Sequence, residues 1–156
     1  LPILRLHGDR EPRQPQFGTT GGATCCSGAE NEVWSFGEEA YQICKKFLCL
    51  REQMKPYIAK LMEEAHEKGT PVMRPLFYDF PEDAECWRCE DQYMFGPDVL
   101  VAPVMYAKTA SREVYLPAGE TWMDYWTGER VEGGKTVAVA APIDQIPLFV
   151  RGKMPW

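Results

Sequence analysis

The sequence predicts an α/β segment followed by an all-β segment, and three observations carry that reading. One amphipathic pattern runs from about Glu38 to Lys68. It feeds an apolar run, Thr70–Pro81, that is bounded and interrupted by proline. Beyond residue 90, five short strand patterns recur between Gly-, Pro- and Asp-containing turns. A helix leading into a buried strand that carries a charge points to an α/β enzyme domain, and evenly punctuated short strands point to an antiparallel β-sandwich. The division falls between Pro81 and Glu90, giving residues 1–81 and 90–156.

Leu1–Leu6 reads as a strand that ends at His7-Gly8, and alternation puts Ile3, Arg5 and His7 on one face. From Gly8 to Gly37 no periodicity survives, and Thr19, Thr20 and Ser27 are among the polar spacers. Loops of this length inside a compact domain are functional or disordered more often than not. Trp34 and Phe36, near the end of this loop, are placed to pin it to the body.

The helix that follows is defined by Ala40, Ile43, Phe47, Leu50, Met54, Tyr57, Leu61 and Ala65, which step by three and four. Glu38 and Glu39 open it, Lys68 closes it and Gly69 stops it, as the helix dipole and a left-handed cap require. Pro56 cannot donate to the carbonyl of Glu52, so a kink or a split is expected there.

Thr70–Pro81 reads as a buried strand in which Pro75 removes one backbone donor. Arg74 stands inside it among Val72, Met73, Leu76 and Phe77, and a cation so placed requires an acceptor nearby. The sandwich strands are expected at Val99–Val104, Arg112–Leu116, Thr121–Tyr125, Thr136–Ala141 and Ile146–Val150. Their turns are Gly96-Pro97-Asp98, Pro117-Ala118-Gly119, Thr127-Gly128 and Gly133-Gly134.

Composition narrows the function. The 156 residues are 45% apolar and 26% charged, which is globular. A net charge of −6 argues against a nucleic-acid backbone or an anionic membrane as partner. No apolar run approaches the roughly 20 residues of a membrane helix, and the first residues lack signal-peptide character. A strand pattern starting at Leu1 reads as a chain cut from something longer. Six cysteines include Cys86 and Cys89 in CxxC spacing, but a zinc site needs further ligands, and His7 and His66 are the two histidines present. Buried or incidental thiols are the better reading. Asn31 begins no glycosylation sequon, so the compartment stays open with a lean toward the inside of a cell.

For chemistry, paired carboxylates come first. Glu38-Glu39, Glu63-Glu64, Glu82-Asp83 and Glu90-Asp91 are all sequence neighbours, which diverge on a helix or strand instead of flanking one bond. No catalytic dyad emerges. His7 is the sharper candidate: it sits where a strand gives way to a loop, with Arg5 on the same face. On spacing alone, a structural histidine capping the strand is the favoured reading. His66 is explained by the dipole of the helix that carries it. No nucleophile elbow, P-loop or dinucleotide fingerprint is present, so no cofactor is expected. A non-catalytic alternative is a carbohydrate-binding or packing sandwich, with Trp122 and Trp126 stacking on sugars or buried in the core.

Several stretches, in order, resemble glycoside hydrolase family 31, the α-glucosidases and α-xylosidases. They are Arg5-Leu6-His7-Gly8, Glu32 to Gly37, Pro71 to Phe77, Glu90 to Val104, Val114 to Pro117, Trp126-Thr127-Gly128 and Pro147 to Gly152. The resemblance covers nearly the whole chain. It implies that residues 1–81 are the last two strands and long kinked helix of a (β/α)8 barrel, with Leu1–His7 and Thr70–Tyr78 as those strands. Residues 90–156 would then begin the β-sandwich domain that follows.

The same resemblance implies a carbohydrate substrate, an α-xyloside or α-glucoside. It makes the histidine matching His7 a hydrogen-bonding partner of the sugar, and Arg5 and Arg74 structural or supporting residues. The family is retaining and uses two aspartates, which the resemblance places upstream of Leu1. A barrel of this kind needs roughly 250 residues, so these residues would be its last portion and inactive alone. Three departures stand out. Val33 replaces the usual proline before the tryptophan, the stretch between His7 and Glu32 is long, and Lys153-Met154-Pro155-Trp156 follows Arg151-Gly152 where a glycine and an apolar strand are usual, as in a truncation or a shifted reading frame. Barrel strands without their neighbours would leave edges unpaired, so association of the isolated chain is expected. The pattern does not set the oligomeric state.

Overall fold

The computed structural model describes residues 32–156. The strand expected at Leu1–Leu6, the loop that follows it, and the site residues Arg5 and His7 therefore lie outside the described residues. Those described fall into two compact units, 32–53 and 54–156.

The first unit holds a 3-10 turn, Val33–Phe36, and helix α1, Glu38–Gln53. Glu38 and Glu39 lie in the first turn of α1, where carboxylates meet the unpaired N–H groups. Gln42 Nε2 donates to Glu38 Oε1 at 2.7 Å. Trp34 and Phe36, expected to act as pins, are instead both exposed, because the single turn carrying them buries no residue.

Helix α2 spans Lys55–Lys68 in the second unit. The one long helix read from the periodicity is thus two, with the break at Met54. The cause is Pro56, which lacks an N–H and fits only the first turn of a new helix. Tyr57 and Leu61 form the buried stripe of α2. Gly69 ends the helix at φ +68°, its N–H donating to the Ala65 carbonyl at 3.1 Å.

The strand expected through Thr70–Pro81 shrinks to β1, Met73–Arg74. Pro75 stops the ladder and caps a short helix α3, Leu76–Asp79, since its φ of −65° already suits a helix start. A further correction concerns partners: β1 pairs antiparallel with β2, Tyr93–Phe95, in the register Met73↔Phe95 and Arg74↔Met94. Met73 and Arg74 therefore join the following sheet, across the division drawn between Pro81 and Glu90.

The remaining strands are β3 (Val99–Val101), β4 (Ser111–Leu116), β5 (Thr121–Asp124), β6 (Arg130–Glu132), β7 (Lys135–Ala140) and β8 (Leu148–Arg151). All pairings among the described residues are antiparallel. One sheet has the order β1-β2-β3-β8-β5-β6, and β4 pairs with β7 in a second. The four turn signals fall at the reversals β2–β3, β4–β5, β5–β6 and β6–β7. Two strands were not anticipated: β2 and β6 have three residues each, too short to show alternation.

The core unites both sheets with α3. Leu76, Phe80, Met94, Leu100, Val114, Leu116, Trp122 and Phe149 are buried in one cluster. Trp122 is fully buried, and its indole N–H donates to the Pro117 carbonyl at 3.0 Å. Removing a side chain of that size from water is worth on the order of 5 kcal/mol.

Candidate functional site

Of the three site residues singled out in the sequence, Arg74 is the one within the described residues. It is 6% exposed, the second residue of β1. The acceptor it requires is Asp79, whose Oδ1 lies 3.3 Å from Arg74 Nη1. The guanidinium also lies over the Tyr78 ring, 5.2 Å from its centroid. Both partners come from α3, so the turn at Pro75 that shortens the strand also builds the site.

The pair is incompletely satisfied. Arg74 Nε and Asp79 Oδ2 are buried without a hydrogen-bond partner. Burial raises the Asp79 carboxyl above its ordinary range; the Arg74 and Arg151 charges oppose this, and Asp98 adds to it. Arg151, at the end of β8, bonds Glu120 at 2.7 Å and lies over Phe80, 5.6 Å from its centroid. The arrangement fixes a buried cation and its counter-charge at the edge strand of the six-stranded sheet. It contains no group placed to attack or protonate a substrate.

A second node centres on Asp83, which by sequence stands out only as half of an acidic neighbour pair. Its Oδ2 accepts from the Tyr115 hydroxyl at 2.8 Å and from the Ala118 N–H at 2.9 Å. Its Oδ1 accepts from the Glu85 N–H at 3.1 Å, capping a 3-10 turn at Ala84–Trp87. Burial works to raise this carboxyl, but the bonds from Ala118, Tyr115, Glu85 and Cys86 outweigh it and hold it below the usual range. The available signal was an aspartate ahead of a short helical turn, a residue type favoured at the N-cap. Asp83 is thus committed to structure, as is Asp91, which bonds Arg112 at 2.7 Å.

The CxxC pair lies in and just after the same turn. Cys86 is fully buried, and burial followed by the Asp83 charge pushes its thiol up to about 12. Cys89 is raised too, by burial first and Asp91 next. Thiols held protonated are poor ligands and poor nucleophiles. Among the described residues no group of three or more His, Cys, Asp or Glu is placed to hold a metal. No described helix is long and apolar enough to cross a membrane.

Trp122 is in the core and cannot stack on a sugar, whereas Trp126 is half-buried and donates to the Ile146 carbonyl at 2.7 Å. A further tryptophan, Trp87, does face solvent and is stacked on Phe77. Next to it an open cleft of about 500 Å³ is lined by residues 79–84, Ala118 and Gly119. Sequence reading missed this pair because Phe77 and Trp87 are ten positions apart on separate short elements.

Comparison with known proteins places this geometry. The model of the glycosyl hydrolase family 31 C-terminal domain matches residues 69–154. An α-glucosidase 2 of Bacillus thermoamyloliquefaciens is 43% identical over 120 residues, covering 77% of this chain and 15% of that protein. An α-xylosidase of Saccharolobus solfataricus is 39% identical over 150 residues, covering 96% of this chain and 18% of that protein. The crystal structure of a family 31 α-xylosidase from a soil metagenome, complexed with xylose, superposes with a TM-score of 0.86 at 50% identity. That likeness covers 99% of this chain and 23% of the other. The chain thus spans between 15% and 18% of the length of these two curated relatives.

Proposed function

The chain belongs to glycosyl hydrolase family 31, and from that we propose that it is part of a retaining α-glycosidase acting on terminal α-xylosides or α-glucosides. The observation that carries the proposal is the 50% identity, over nearly the whole chain, to an α-xylosidase crystallised with xylose. The α-glucosidase and α-xylosidase relatives support the same substrate class.

In this reading the stretch up to Lys68 closes a (β/α)8 barrel, and the sheet that follows is the body of a β-sandwich domain. The seam is proposed at Gly69, where the family match begins and before β1 joins the antiparallel sheet. His7 would hydrogen-bond the sugar at the cleavage point, supported by Arg5. Arg74 would be structural, its ion pair with Asp79 setting the chain direction where barrel gives way to sheet. Cleavage would proceed by double displacement through two aspartates on the portion of the parent enzyme beyond these residues. One would attack the anomeric carbon, while the other protonates the leaving oxygen and then activates water.

These 156 residues alone are therefore expected to be inactive. The test is turnover of p-nitrophenyl α-xyloside and α-glucoside by the purified chain. No release of nitrophenol is expected. Clear hydrolysis that disappears in a His7→Ala variant would overturn the assignment of the reacting acids to the rest of the parent.

A further inference from the structure

We propose that the open face of the Phe77–Trp87 stack and the cleft beside it form a carbohydrate-binding platform for a short α-linked oligosaccharide. Trp87 is 59% exposed, yet it is held from three directions. Its ring lies against Phe77 with centroids 4.5 Å apart and planes 11° from parallel. Its Nε1 donates to the Pro81 carbonyl at 2.9 Å, so the polar edge of the indole is already satisfied. Its backbone belongs to the 3-10 turn that Asp83 caps.

The result is a rigid aromatic surface with one face covered by Phe77. The stack on Phe77 takes one indole face out of water, while the other face is held rigidly in solvent, where it adds nothing further to the fold. It does suit the C–H face of a pyranose ring, which is apolar and flat on one side. Pro81 ties the platform to the cleft, since the carbonyl that holds Trp87 belongs to a residue of the cleft wall. The exposed carboxylate of Glu82 is also on that wall, and carboxylates accept hydrogen bonds from sugar hydroxyls. Ala118 and Gly119 opposite are small and leave the space open. A carboxylate rim and a net charge of −6 disfavour anionic ligands, so a neutral polyol is the occupant that fits.

The choice of an α-linked oligosaccharide rests on the glycosidase reading above; the platform itself does not. Such a surface would hold the oligosaccharide without taking part in cleavage. The test is titration of the full 156-residue chain with maltotriose and isomaltotriose, followed by tryptophan fluorescence and by calorimetry. Saturable binding at millimolar sugar is expected. Trp87→Ala should weaken it about tenfold, the loss of one aromatic stacking partner. Glu82→Gln, an exposed change that leaves the fold alone, should weaken it a fewfold. Absence of saturable binding would overturn the platform, as would equal affinity in wild type and Trp87→Ala. Should Trp87→Ala lose its native circular dichroism, unchanged affinity in Glu82→Gln would overturn it instead. Hydrolysis does not enter the readout, so failure here leaves the glycosidase assignment standing, and turnover by the isolated chain would leave the platform standing.

Discussion

Gly96 lies directly against the Tyr57 side chain, at φ +63°, with the Tyr57 hydroxyl donating to the neighbouring Phe95 carbonyl at 3.0 Å. A Cβ at position 96 would collide with that hydroxyl and come within 2.7 Å of Leu61 Cδ2. The β2–β3 turn can therefore close onto α2 only if residue 96 has no side chain. Gly96→Ala is expected to cost about 2 kcal/mol or more, from left-handed strain and the clash together. In a Tyr57→Phe background the penalty should shrink, because the nearest of the atoms it meets is gone. Urea unfolding of the two single variants and the double variant reads this coupling; strictly additive changes would contradict the contact.

Arg74 and Asp79 should behave as one unit. Arg74→Ala leaves a buried carboxylate without its cation, and a loss of about 3 kcal/mol is expected. Because burial raises the Asp79 carboxyl, the folded state holds that proton more tightly than the unfolded chain. Its contribution is thus most favourable at acid pH and declines as pH climbs from the ordinary carboxylate value through the raised one. Asp79→Asn should abolish that decline. Urea midpoints from pH 3 to pH 7 decide the matter, and a parallel curve for the variant would refute the assignment.

Asp83 carries the opposite sign. Its carboxyl is held low, so its stabilisation is present above the ordinary carboxylate value and is lost as pH falls through the lowered one. Asp83→Ala removes bonds to Tyr115, Ala118 and Glu85, for an expected loss of about 2 kcal/mol at neutral pH. That loss should narrow in acid. The same denaturation series, run on this variant, measures it.

Among the described cysteines, Cys49 is exposed and Cys86 is buried with its thiol pushed up to about 12. Brief treatment with iodoacetamide at mildly alkaline pH should label Cys49 and spare Cys86 until denaturant is added. Peptide mass spectrometry would show it. Rapid native labelling of Cys86 would mean that the 3-10 turn opens far more readily than its bonds imply.

Trp122→Phe keeps most of the apolar volume but strands the Pro117 carbonyl, for an expected cost of about 1–2 kcal/mol. Trp122→Ala adds a cavity and should cost about 3–5 kcal/mol. Thermal melts of the two variants should rank in that order.

Much of this was legible in the residues. Gly96-Pro97-Asp98 and Gly133-Gly134 marked reversals that the chain makes, because glycine admits backbone angles that other residues resist. The strands at β3, β4, β5, β7 and β8 lay within three residues of their expected ends. The stretch at Thr70–Pro81 was harder, since an unbroken apolar run reads alike for a buried strand and a buried helical turn. In a fully extended chain Arg74 and Asp79 would stand about 17 Å apart. Only the turn into α3 makes them a pair.

What the sequence by itself determined were the local features: where helices start and stop, where the chain reverses, and which motif series marks the family. Those depend on backbone stereochemistry and on neighbours a few positions away. The tertiary structure alone decided that β8 lies between β3 and β5, that Asp83 binds Tyr115 and Ala118, and that Trp87 stays in water while Trp122 does not. Partners such as these are brought together by burial of a shared apolar core. That driving force is non-directional and leaves no spacing in the chain from which to read them.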